Sequence, residues 1–164
     1  MKSKLSKMIS DQRKKETEEA NRKVANVKEQ ETEAKKIEIK KKEKFDKVYY
    51  SKVYPALQEL REVISKNDNK QCVLLDNAEY KKQFGRTGSA CRDYLVIKGT
   101  SRNYIINTVE AANEQLMISF SQGNKNDMLG SQMKFSLDKI PSTDELAEKI
   151  LMRYLDDTVD AFLD

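Results

Sequence analysis

Gly85-Arg86-Thr87-Gly88 is the one glycine-bracketed loop in the chain, and Lys81, Lys82 and Arg92 lie close to it in sequence. Two glycines let a backbone approach a ligand closely, and cationic side chains beside exposed N–H groups make such a loop a candidate phosphate clamp. A plain connection between two strands satisfies the same pattern, and that is the reading we expect. The densest basic run is Lys35, Lys36, Lys40, Lys41, Lys42 and Lys44. Together with Arg86 it could neutralise phosphates without reading sequence, and such binding depends strongly on salt. Glu29, Glu31, Glu33, Glu38 and Glu43 are interleaved with it, which favours a solvated helix surface.

Other chemistry finds few carriers. The 164 residues include no His and no Trp, which removes the commonest general base near neutral pH and the usual histidine-activated nucleophiles. Cys72 and Cys91 lie in or beside apolar stretches and are expected to be free thiols of a reduced, cytoplasmic protein. Asp156, Asp157 and Asp160 read as an acidic helix surface, since adjacent helical positions point about 100° apart and cannot share a proton. Asn124, Asn126 and Asp127 offer oxygen ligands, but no Glu follows where a calcium loop of the EF-hand kind needs one. No catalytic residue, metal ligand or cofactor is assigned. Phe45, Tyr49, Tyr50 and Tyr54 are the candidate partner interface, because aromatic side chains anchor contacts well.

The spacing of Gly85 and Gly88 resembles the G-x-x-G loop of the KH family of RNA-binding domains. In that family the loop joins two short helices and grips a single-stranded backbone. Here the likeness covers four residues, Phe84 precedes the loop, and 93–98 reads as strand where that family has helix, so no family is assigned.

The elements that would position these residues follow from periodicity. Residues 3–47 contain no Gly or Pro and are rich in Lys, Glu, Gln, Ala and Arg, which predicts a long helical arm over 1–44. Glu18 with Arg22, Glu19 with Lys23, Glu31 with Lys35 and Glu38 with Lys42 stand four apart and support it. Ala20, Val24, Val27, Ala34, Phe45 and Val48 form a heptad seam that Arg13, Thr17, Glu31, Glu38 and Lys41 interrupt and that leaves Leu5 and Met8 off it, so the coiled-coil propensity is weak. The first ten residues are expected to fray.

From Phe45 onward the apolar stripe thickens through Val48, Tyr49, Val53, Tyr54, Leu57, Leu60, Val63 and Ile64, with Pro55 predicting a kink or a fresh helix start. Then the period changes to two. Residues 72–75, 94–97, 104–106, 116–120 and 133–137 read as strands. The link 98–102 is hairpin-sized, and 122–131 is a longer mobile loop. Ser142 to Glu145 forms a capping box, followed by Leu146, Ile150, Tyr154, Val159 and Phe162 at helical spacing.

The expected architecture is therefore α+β: an N-terminal arm, a kinked helix, an antiparallel meander of four to five strands and an amphipathic closing helix on the sheet, with the domain spanning 45–164. Charge is polarised along the chain. Residues 1–50 carry 16 Lys and Arg against 10 Asp and Glu, while residues 142–164 carry 2 against 7. No apolar run approaches the roughly 20 residues a membrane span needs, and Met1 to Ser10 lacks a signal-peptide core. The expected function is non-enzymatic protein interaction or regulation, with a protein partner or a second copy of the chain. Sequence-independent nucleic-acid binding through the lysines is the alternative.

Overall fold

A computed structural model describes residues 2–88, 90–123 and 127–161. The chain divides into two units, residues 1–41 and 42–164. The first unit is helix throughout its described residues and belongs to α1 (Lys2–Val48). Every described side chain from Ser3 to Lys41 is exposed. Local interactions support the helix: Lys36 meets Glu33 at 3.6 Å, and Thr17 and Thr32 each donate to the carbonyl four residues back, at 2.9 Å. The residues expected to fray are helical from Lys2.

The second unit begins with the last turn of α1, which is buried at Phe45. Pro55 then acts as its chemistry predicts. It has no N–H and its ring crowds the carbonyl four residues back, and the helix widens just before it into a π-turn at Tyr49–Val53. Tyr54 N–H bonds to the Tyr49 carbonyl, five residues back, and α2 (Tyr54–Asn67) starts with proline in its first turn. The expected kink is thus a π-bulge.

A fully antiparallel sheet follows, built from β1 (Cys72–Asp76), β2 (Cys91–Lys98), β3 (Asn103–Ala111) and β4 (Gln115–Gln122) in that order. The fifth position is shared by β5 (Asp127–Met128) and β6 (Met133–Ser136), which both pair with β4 on the same side. They are two halves of one interrupted edge strand. The expected mobile loop therefore contains a strand fragment, and Asn124 and Asn126 lie outside the described residues.

Alternation along the strands divides the side chains between two faces. Leu95, Ile97, Tyr104, Ile106, Leu116, Ile118 and Phe120 point to one face, where Phe45, Tyr49, Val53, α2 and α4 (Thr143–Ala161) cover them. The closing helix supplies Leu146, Ile150 and Tyr154. The side chain of Val159 and all of Phe162 lie outside the described residues. The other face holds a smaller cluster of Leu75, Tyr80, Tyr94, Val96 and Ile105.

One element departs from the expected meander. The link between β1 and β2 contains a helix, α3 (Asn77–Phe84), so the glycine-bracketed segment joins a helix to a strand and not two strands. Asp76 and Glu79 form a reciprocal capping box at its start, with Asp76 Oδ1 accepting from Glu79 N at 2.8 Å. Tyr80 then lies flat on Tyr94, with ring centroids 3.7 Å apart.

Candidate functional site

The predicted aromatic interface divides on folding. Phe45 and Tyr49 are each 1% exposed and belong to the core, Tyr54 is half-buried, and Tyr50 is 59% exposed. Tyr49 is held by a polar device that depends on a defect in β2. The register of β2 against β3 slips between Cys91 and Tyr94. Such a bulge turns two consecutive residues toward one face, and here Arg92 and Asp93 both reach the helix-covered side.

Tyr49 Oη donates to Asp93 Oδ2 and lies 2.8 Å from Thr108 Oγ1, which accepts from Asp93 N at 3.1 Å. Arg92 donates to Asp46 and to Glu110, the latter at 2.6 Å, while its guanidinium lies over the rings of Phe45 and Tyr49. Burial raises the Asp93 carboxyl above its ordinary value, against the hydrogen bond from Tyr49, and Asp76 across the strand pair adds to the rise. Tyr49 is pushed far up by burial and by Asp93. Arg92 is held protonated by Glu110 and Asp46 despite the opposing effect of burial. With Tyr49, Asp93 and Thr108 exposed by 1%, 7% and 0%, a solute has no access to this cluster. Its effect is to fix the end of α1 on the sheet.

The basic candidates are dispersed. Lys35, Lys36, Lys40, Lys41, Lys42 and Lys44 are exposed along α1, Lys36 beside Glu33 and Lys44 bonded to Asp138 at 3.0 Å. Arg86 is exposed above the opposite sheet face, in a cleft of about 290 Å³ that Tyr80, Asn107 and Ser121 also line. Arg92, counted beside it in sequence, points through the sheet to the helix side.

The glycines of this loop have backbone roles. Gly85 adopts φ 80° and donates its N–H to the Lys81 carbonyl, closing α3 in the left-handed manner that suits glycine. The Gly88 carbonyl accepts from Cys91 N at 3.2 Å and from Asn77 Nδ2 at 3.0 Å. Because the loop follows a helix C-terminus, the negative end of its dipole, the backbone at Gly85 offers an anion no attraction. The strand at Cys91–Lys98 also replaces the second helix of a KH module.

The cysteines are free and far apart. Cys72 pairs with Ile97, six residues along β2 from Cys91, or about 20 Å at the strand rise, well beyond disulfide reach. Burial pushes the Cys72 thiol up to about 12, with Arg61 opposing it.

Sequence reading missed the inner anchor of α4. Arg153 donates to Asp157 at 3.1 Å and to the Leu129 carbonyl at 2.6 Å, and Asp157 also accepts from Tyr104 Oη at 2.7 Å. Asp157 is thus a partly buried partner, a correction to its assignment as exposed helix surface. The four-residue spacing of Arg153 and Asp157 was the available signal. The break between β5 and β6 lies where Arg153 bonds, with Gly130 at φ 67° and no room for a Cβ beside the guanidinium.

Among the described residues, no group of three His, Cys, Asp or Glu side chains is disposed to hold a metal ion, and no helix is long and apolar enough to cross a membrane. Comparison of the chain with known protein families, with curated proteins and with solved structures finds no match.

Proposed function

We propose that the chain is a non-enzymatic cytoplasmic interaction protein whose helical arm self-associates, the folded unit serving as the body that the arm connects. The supporting observation is the state of residues 3–41. They form helix without burying a side chain, yet Leu5, Met8, Ile9, Val24, Val27, Ile37 and Ile39 are each more than half exposed. At about 100° per residue, Leu5, Met8, Ile9, Val27 and Ile37 fall within an arc of about 100° that also holds Ala34, and Ala20 extends it to about 120°.

Charge favours a second copy as the occupant of that face. Residues 2–15 carry six basic and one acidic side chain, whereas residues 16–33 carry three basic and six acidic. Two arms running antiparallel, with 2–15 of each beside 16–33 of the other, pair opposite charges twice and form a closed two-fold contact. The same register sets Met8 near Val27. The acidic neighbours of the lysines, Glu33 for Lys36 and Asp138 for Lys44, favour a protein partner over nucleic acid.

Sedimentation equilibrium on the full chain tests this. A dimer mass at 50 mM salt that falls toward the monomer at 500 mM is expected, because rim charges are screened. A monomer mass at both salts, up to 100 μM protein, contradicts it.

A further inference from the structure

The sheet ends in an edge strand with an apolar groove beside it. Among the described residues, β6 has a strand partner on one side, β4. Leu137 N–H donates to the Glu114 carbonyl at 2.9 Å, which fixes the alternation of this antiparallel pair. Residues 133, 135 and 137 direct their backbone groups to β4, and Lys134 and Ser136 direct theirs outward.

Side chains alternate as well. Met133 and Phe135 stand opposite Ile118 and Leu116, on the face that α4 covers. There, together with Met152, which is 57% exposed, they bound a groove of about 590 Å³. The far wall is one stripe of α4, Glu145, Glu148 and Lys149 leading to Met152 at helical spacing. Lys149 Nζ stands over the Phe135 ring at 5.7 Å. Beyond this stretch, Arg153 ties α4 to Leu129.

We propose that this groove binds an extended peptide of a partner protein, added as a strand to β6, with an acidic residue opposite Lys134 and an apolar residue on each side of it. Each part of the description follows from a feature of the edge. Outward N–H and C=O groups at Lys134 and Ser136 are satisfied by an extended backbone. The incoming residues flanking the central one fall on the groove face, where Met133, Phe135 and Met152 offer apolar surface. The central residue falls on the Lys134 face, and an opposite charge directly across a strand pair is favourable. A second copy of β6 fits less well: the antiparallel register that faces Met133 with Phe135 opposes Lys134 with Lys134, and the one that faces Phe135 with Phe135 opposes Lys134 with Ser136, so neither gives Lys134 an opposite charge.

The inference deepens the interaction reading, and its test does not involve the arm, so the two fail separately. The probe is a library of N-acetylated, C-amidated heptapeptides with a varied central residue and varied neighbours, applied to the full chain. Enrichment of Asp or Glu at the centre with apolar residues on both sides is expected. N-methylation of the central residue of the best peptide should weaken it at least tenfold, since that N–H donates to the Lys134 carbonyl. Lys134→Glu should reverse the central preference to Lys or Arg, and Met152→Glu, at an exposed position, should weaken binding at least tenfold without unfolding the chain. No enriched peptide, N-methylation without effect, or an unchanged central preference in Lys134→Glu overturns the proposal. Assembly of the chain that Met152→Glu abolishes, with no peptide enriched, would assign the groove to a second copy and overturn it too.

Discussion

Two positions on the same helix show how differently one secondary structure can be sustained. Val27 and Phe45 both lie on α1 and both carry apolar side chains, yet Val27 is 53% exposed and Phe45 is 1% exposed. Around Val27 the helix rests on composition: no glycine or proline, strong helix formers and short-range pairs worth a few tenths of a kcal/mol each. Around Phe45 it rests on the sheet, through stacking under Arg92 and the ring of hydrogen bonds that joins Tyr49, Asp93 and Thr108. The first region leaves its apolar side chains exposed, and the second buries Phe45 and Tyr49 in the core.

The contrast breaks most visibly under truncation. Phe45→Ala should lower the unfolding free energy by about 3–5 kcal/mol, the range for a buried aromatic, and Val27→Ala by less than about 0.5 kcal/mol, both read from urea denaturation at a concentration where the chain is monomeric. Equal losses at the two positions would remove the distinction between arm and folded unit.

A smaller effect sharpens the second region. Because burial raises the Asp93 carboxyl in the folded state, folding favours its protonated form. That contribution is complete below the unfolded value, about 3.9, and is lost as pH rises through the higher folded value. The stability of the native chain relative to Asp93→Asn should therefore decline from pH 3 to pH 7. A difference that stays flat or grows with pH would show that the Tyr49 hydrogen bond outweighs burial.

Much of the fold was legible because it rests on local chemistry. The glycine-free charged stretch, the strand alternation of Leu116, Ile118 and Phe120, the Pro55 discontinuity and the Ser142 cap all act within a few residues. The short helix α3 was missed although Asp76 and Glu79 have capping-box spacing, because eight residues with a weak apolar stripe are easily taken for a loop. The bulge at Arg92 and Asp93 was not legible. A slip in strand pairing is set by the partner strand, so the sequence gives no sign that consecutive charged residues face the same side. Periodicity did place Tyr49 in the apolar stripe and Tyr50 outside it, in agreement with their burial, but grouping the aromatic residues by type set both in one candidate interface. The β6 groove arises where the chain turns after β6 and lays α4 beside it, and Met152 stood out in neither pattern.

The role proposed for the arm's apolar face is association and not folding. Sedimentation equilibrium comparing the native chain with Met8→Lys/Val27→Lys, alongside urea denaturation of both under monomeric conditions, separates the two roles. A dimer reduced to monomer with an unchanged denaturation midpoint is the predicted result. Unchanged mass, or a midpoint that falls together with the mass, would contradict it.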